Sequence, residues 1–417
     1  MAERALSPFV LRGQHDDGEF SRTAISSDGR WIATTTTGND DINDGDPQSD
    51  SQGSRLSRQR HVQLWDFEAK DPSTYSRVLR GHQRRIMSME ISSDDRWLIT
   101  GSVDNTVRLW DLTARDIESS SKVLGRPSTE ELSPGRVALD PTGRWLATSS
   151  TDSNVLVRDL TDLAASPVVL SGHERPARMA ISPDGRWLVT NPNLEASRVW
   201  ELSADDPQDA SFTLDYTRFS HHLAIAGNGR WFALPDEGDT YLFDLEAQDP
   251  TASPRVFRLP RTHFSRELGW NTDQIWKVAI SPNARWLFTQ RYNSIGQLWD
   301  LQIEDPPPHD LPREAAAQSV AMSPDGRWMV TGTRTGIAQL WDLTAPDPTS
   351  TARTLRGHEA TIWQVRISTD SGWLVTDASD GTIRRWNLDV EGLLDYARKI
   401  AGRELTPDER VYYRLDR

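Results

Sequence analysis

The chain has 417 residues, 61 acidic against 47 basic side chains, a formal net charge of −14 and no cysteine. The charge balance argues against a general nucleic-acid binder, which gathers phosphates on a basic stripe. The lack of cysteine removes disulfide scaffolds, thiolate metal sites and cysteine nucleophiles. Hydrophobic content of 36%, with 24 Pro and 26 Gly, suits thin sheets joined by many turns. Residues 1–8 hold no apolar run of the kind found in a secretion signal and no stretch reaches the length of a membrane span, so the expectation is a soluble cytoplasmic protein with no membrane segment.

In chain order, Pro8-Phe-Val-Leu-Arg12 reads as an orphan strand, followed by eight copies of one repeat. Their best form is Ile181-Ser-Pro-Asp-Gly-Arg-Trp-Leu-Val-Thr190, and their aromatic anchors are Trp31, Trp97, Trp145, Trp187, Trp231, Trp286, Trp328 and Trp373. Successive gaps of 66, 48, 42, 44, 55, 42 and 45 residues describe an array of supersecondary units with insertions. Within a copy, Asp-Gly between an apolar pair and the Trp run predicts a hairpin whose glycine takes positive φ. A third strand follows, as in Val107-Arg-Leu-Trp-Asp111, and a fourth, as in Arg77-Val-Leu-Arg80, giving four short antiparallel strands per copy. Of the 17 Trp, eight sit at the hairpin and six close the third strand, and both sets are expected in the core between units. Trp270, Trp276 and Trp363 are left over.

Gly81-His82 opening a copy and Trp110-Asp111 closing it resemble the WD-repeat β-propeller family, and Gly172-His173 with Trp200-Glu201 and Gly357-His358 with Trp386-Asn387 match more loosely. The expected fold is an all-β, eight-bladed β-propeller over residues 8–390, with a seven-bladed ring as the alternative. The last copy ends at Asn387-Leu388 without a fourth strand, so the N-terminal strand is expected to complete it and remove the open edge. The resemblance implies that His82, Thr100, Asp104 and Trp110, and likewise His358, Thr376, Asp380 and Trp386, form buried hydrogen-bonded tetrads with a structural role. Elsewhere the pattern degrades: Arg158 replaces a closing Trp, and Leu194, Asn293 and Thr335 stand where Asp would be. Blades four to seven are therefore expected to lean on apolar packing.

Two long insertions interrupt the array. Residues 38–60 are polar and rich in Asp, but if Gly45 held the sixth position of a calcium loop the third would be Ile42 and the twelfth Ser51, so a solvated acidic loop is the reading. Residues 260–274 enter the sixth copy and carry Trp270. In the fifth copy, His221, His222 and Asp236 invite a metal reading, yet adjacent strand residues point to opposite faces, and no metal site or cofactor is expected. The recurrent Asp-Pro loops are read as turns. After residue 390, Leu393, Leu394, Ala397, Ile400 and Ala401 fall on one helical face, which predicts a short helical tail over 391–417. That tail resembles those of bacterial WD-repeat signalling proteins. It implies a signalling effector module, separate or fused, although no Gly-rich phosphate loop or kinase signature occurs here.

The function expected is a non-enzymatic scaffold or sensor that binds a protein partner. The alternatives are an enzyme with its site at the central channel, for which no carboxylate pair or metal cluster recurs at channel positions, and nucleic-acid binding, for which segments such as Gln83-Arg-Arg85 are too few. Four residues before the inner-strand anchors Ile25, Ile91, Leu139, Ile181, Ile225, Ile280, Met322 and Ile367 stand Ser21, Met87, Gly135, Ala177, His221, Trp276, Gln318 and Trp363. Repeat symmetry asks for like residues there, so the two Trp are departures that the fold does not require. In the resembling family this position lies near the channel mouth. Trp276 and Trp363, with Trp270, His221, Met87 and Arg85, are the candidate partner-binding residues.

Overall fold

The computed structural model describes residues 9–12, 22–36, 60–69, 72, 76–124, 137–149, 153–175, 177–192, 195–214, 223–236, 238–259, 275–291, 294–312 and 316–388. The acidic insertion, apart from Arg60, and the insertion with Trp270 lie outside them, as do His221 and the tail over 391–417. The architecture is eight four-stranded antiparallel sheets. Seven are built from consecutive strands, as in blade two: Ile86–Ile91, Trp97–Ser102, Val107–Asp111 and Lys122–Val123. Each innermost strand contacts the innermost strand of the next sheet, and Thr23–Ile25 of the first contacts Ile362–Ile367 of the last, so the sheets close into a ring. The protein is an eight-bladed β-propeller.

Closure uses the N-terminal strand. Phe9–Arg12 pairs antiparallel with Thr382–Asn387, Phe9 opposite Arg385 and Arg12 opposite Thr382, and supplies the outer strand of blade eight. Leu11 is fully buried with Ile32 and Trp65 of blade one and Val375 and Ile383 of blade eight. The core is thus a set of inter-blade layers, six of which combine a hairpin Trp with a closing aromatic. Among the described residues no helix is long and apolar enough to cross a membrane.

The eight hairpins share one backbone solution. The residue two before each anchor Trp has positive φ, and it is glycine in five blades, including Gly185 at 71°. Asp95, Ala284 and Ser371 take the same conformation without being glycine. In every blade but the fifth, where Ala226 stands, a Ser or Asp side chain opens the turn and is capped by it, as where Trp187 N donates to Ser182 Oγ at 2.8 Å and Arg186 N to Asp184 Oδ1 at 3.1 Å. The Asp-Pro loops behave similarly: Asp347 accepts from Thr349 N at 3.0 Å and caps a short 3-10 turn at Pro348–Thr351.

In blades one to seven the Arg before the anchor Trp lies over that Trp, 4.5 to 5.2 Å from the ring centroid. The same Arg reaches the acidic residue that closes the third strand, at 2.6 to 3.9 Å. This clamp explains why an acid follows the closing aromatic. Blade eight has Gly372 and Asn387 at the two positions, so both charges are exchanged together, and Arg385 covers Trp373 instead, 3.4 Å from its centroid.

Candidate functional site

The starts of the innermost strands and the ends of the second strands that pair with them share one face of the ring. In blades two and eight a tetrad ties the adjoining loops together. His82 Nδ1 lies 3.0 Å from Asp104 Oδ2 and its Nε2 2.8 Å from Thr100 Oγ1, which accepts from Trp110 Nε1 at 3.0 Å. A carboxylate only accepts, so Nδ1 carries a proton that it donates to Asp104. Burial alone would raise the Asp104 carboxyl; bonds from His82 and Thr106 hold it well below its ordinary value. His358, Asp380, Thr376 and Trp386 repeat the arrangement at 2.9, 2.7 and 2.9 Å. Burial, the largest effect on His358, depresses its pKa and favours the neutral ring. The Thr100 and Thr376 hydroxyls at the centre of these contacts are fully buried, out of reach of a substrate, and the contacts fix loop geometry.

The degradation expected in blades four to seven is smaller than the sequence suggested. The Thr to Trp bond persists in blade four (Thr190, Trp200, 2.8 Å), blade six (Thr289, Trp299, 2.8 Å) and blade seven (Thr331, Trp341, 3.2 Å). Blade four keeps more still: His173 Nε2 is 2.7 Å from Thr190, and Glu195 Oε2 lies 3.7 Å from His173 Nδ1. The acid stands one residue beyond the position assigned from Leu194, and its longer side chain covers the offset. Burial, then the nearby Arg198, push His173 down to about 4.

Beside this frame, the residues singled out for binding share a backbone irregularity. Pairing of the inner strand with its neighbour skips one residue in four blades: Met87 in blade two, Trp276 in six, Gln318 in seven and Trp363 in eight. These are β-bulges, which re-aim a side chain away from the regular alternation. In blade four the ladder is regular and Ala177, opposite Pro192, is buried. The bulged blades form an arc through six, seven, eight and two, with only blade one between the last two.

Trp363 is 49% exposed, and its indole Nε1 donates to Ser379 Oγ in the turn after the second strand. Trp276 is partly buried, with the Lys277 ammonium 5.9 Å from its ring centroid. Met87 is partly buried and its carbonyl accepts from Arg22 of blade one. Arg85 precedes the strand, its carbonyl accepts from Val103 N at 2.9 Å, and burial lowers its pKa. Trp276 and Trp363 stand two blades apart with Gln318 between them in ring order, so they offer separate points on an arc. The repeat shows the arc's residues as departures from symmetry, but their bulging depends on register and leaves no mark in composition.

A sequence profile described as WD domain, G-beta repeat, matches residues 73–111, 135–159, 311–342 and 349–387. The chain is 24% identical over 109 residues to the target of rapamycin complex subunit LST8 of Saccharomyces cerevisiae, covering 26% of this chain and 28% of that protein. It is 38% identical over 60 residues to the small ribosomal subunit protein RACK1 of Dictyostelium discoideum, covering 14% and 18%. The matched regions thus span less than a third of these relatives' lengths. Among solved structures, Sqt1 from Chaetomium thermophilum superposes with a TM-score of 0.66 at 17% identity, covering 91% of this chain and 98% of that one, a likeness of fold. Together with the closed ring of eight four-stranded sheets, these matches support a WD-repeat β-propeller.

Proposed function

We propose that the chain is a non-enzymatic interaction module that docks a protein partner on the face formed by the strand-entering loops, with Trp276, Trp363 and Met87 as anchors. The observation that carries this reading is the recurrent bulge, which turns these residues out of the regular ladder in blades that share little else at that position. An exposed Trp whose polar end is held by Ser379 is preorganised, and such side chains dominate interface energies. Arg85 precedes Met87 by two residues, and Trp270 and His221 belong to the proposed surface by sequence position. The relatives named as subunits of a complex and of the ribosome are in keeping with an assembly role. We place the partner in a cytoplasmic signalling or regulatory complex of a bacterium, as an effector module separate from or fused to this chain.

Affinity capture with the full chain as bait tests this. Trp276→Ala with Trp363→Ala should abolish retention of the partner held by the unchanged chain, with a melting temperature within about 2 °C, since neither Trp is fully buried. Undiminished capture, or loss only together with folding, would sink the reading.

A further inference from the structure

Around the ring, one joint is crossed by no peptide link. Phe9–Arg12 runs on in sequence into blade one, while the other three strands of blade eight follow blade seven, so the surface between these two groups is held by noncovalent contacts alone. Leu11 packs across it on Val375 and Ile383, and Asp370 N donates to the Ser27 carbonyl at 3.2 Å. On the innermost strand of blade one, Thr23 donates its N–H to Gln364 Oε1 at 3.2 Å and its hydroxyl to Asp377 Oδ2 at 2.8 Å. Asp377 is 1% exposed, and its Oδ1 is buried with no hydrogen-bond partner among the described residues.

Asp377 follows Thr376 of the tetrad, and the residue at this position is neutral in the other seven blades. In blade six it is Gln290, whose amide donates to the Ala317 carbonyl at 3.0 Å and accepts from Ala317 N at 2.9 Å, tying blade six to blade seven. The fold thus has a neutral side chain for this task, and what an acid adds is a proton that can be lost. A carboxylate here would leave a charged oxygen unpaired and out of water. The described cations on the strands around it are engaged elsewhere: Arg22 donates to the Met87 carbonyl of blade two, Arg384 to the Gly357 carbonyl, and Arg385 lies over Trp373 and Phe67. Arg366 acts on Glu90 of blade two. His358 is bonded to Asp380, whose negative field falls on Asp377. Burial, opposed by the Thr23 bond and reinforced by Asp380, raises the Asp377 carboxyl well above its ordinary value.

We propose that this joint is a proton-controlled opening of the ring: blade eight closes on blade one around a neutral Asp377 carboxylic acid, and ionisation of that group favours parting of the two. A carboxyl of raised pKa keeps its proton in the closed ring and gives it up to water in the open one. Opening is thus least favoured below the ordinary carboxyl value of about 4 and gains about tenfold for each pH unit above it, until the closed form also loses the proton. Gln364 follows Trp363, so the joint borders the docking face.

The chain has no cysteine, so a single thiol can report on one joint. Val375→Cys places it on the blade-eight side of this joint, and Val189→Cys, at the same position of blade four, reports on the buried layer between blades four and five. Each full chain is labelled with a thiosulfonate reagent from about pH 5 to 8, and the ratio of the two rates cancels the ionisation of the thiol itself. The ratio should rise by about tenfold or more over this range, and should stay constant within about twofold when Asp377→Asn is added to Val375→Cys. If that variant does not fold, Asp377→Gln, which copies blade six, should give the same flat profile. Thr23→Val, which removes the bond that favours the charged form, should carry the rise to higher pH. A ratio independent of pH in the chain that keeps Asp377, or an equal rise in the Asp377→Asn or Asp377→Gln chain, would overturn the proposal.

Discussion

In blade two Thr100 stands between His82 and Trp110, whereas in blade five the corresponding second-strand and closing positions are Leu234 and Phe243, with Phe243 stacked on Phe232 at 6.1 Å between centroids. Both partners of the buried bond are exchanged together, which leaves no orphaned donor and so costs little. Blade three shows the intermediate case: Arg158 replaces Trp, and Thr148 keeps only the bond to the facing carbonyl, Leu156 at 3.4 Å, that Thr190 also makes to Arg198 at 3.3 Å in blade four. The tetrad is therefore one of two compatible fillings of a blade. What the described blades share is the left-handed hairpin residue, and in blades one to seven the Arg clamp.

The largest expected effect tests a buried apolar position of the closing strand. Leu11 holds blade eight to blade one as Leu79, Leu170 and Leu214 hold the outer strands of blades one, three and four. Leu11→Asp puts a charge between closed layers and, like deletion of residues 1–13, should cost about 4 kcal/mol or more by urea unfolding. Val169→Asp on the outer strand of blade three, 49% exposed, should change the midpoint little. Equal midpoints for the two variants would refute closure through the N-terminal strand.

Next comes the contrast between blades two and five. Asp104→Ala leaves the His82 N–H without its acceptor and frees the loop at Gln83, whose N–H Asp104 also accepts at 2.7 Å, so a loss of about 2–3 kcal/mol is expected. In blade six, Thr289→Leu combined with Trp299→Phe copies the blade-five filling. The pair should cost at least about 1 kcal/mol less than the sum of the singles. Additivity would show that the apolar filling of blade five depends on its neighbours.

Glu90 distinguishes blade two from the six blades with alanine at that position. Its pKa is raised in the fold, to about 7, because burial disfavours the charged form. A carboxyl with a raised folded pKa contributes fully below its unfolded value of about 4.5 and loses that contribution as pH rises through about 7. Between pH 4.5 and 8 the unchanged chain should lose about 2 kcal/mol more stability than Glu90→Gln, given partial exposure of the side chain. Parallel pH profiles for the two proteins would show that the carboxyl is better solvated than its place on the inner strand indicates.

The blade number, the anchors and the closing strand were legible in the sequence because one Trp spacing and one orphan strand encode them without reference to contacts. The Arg clamp was equally present, an Arg before seven of eight anchors, but its meaning needs the antiparallel register that sets Trp31 opposite Asp66. Glu195 was passed over because a strict spacing rule ignores side-chain length. At the candidate site, the identities of Trp276 and Trp363 stood out against repeat symmetry. Their bulges did not, since one extra residue in a ladder reverses the facing of a side chain without altering composition.

The smallest expected effects concern the hairpin residue that all eight blades place in the left-handed region. A non-glycine residue there costs about 1 kcal/mol, partly offset because glycine loses more freedom on folding. Asp95, at φ 56°, accepts from Ser27 N of blade one at 2.6 Å and also from the Ser27 hydroxyl. Ser371 of blade eight accepts from Asp325 N of blade seven at 3.2 Å. Ala284, at φ 55°, contributes a methyl group packed against its cluster and no hydrogen bond from its side chain. Replacing each with glycine should therefore give different signs: Ala284→Gly stabilises by up to about 1 kcal/mol, Ser371→Gly changes little, and Asp95→Gly destabilises by about 1 kcal/mol. Urea midpoints at unchanged slope would measure all three. If Asp95→Gly stabilised as much as Ala284→Gly, the bonds from Ser27 would contribute nothing net, and the strained hairpin of blade two would owe nothing to its contact with blade one.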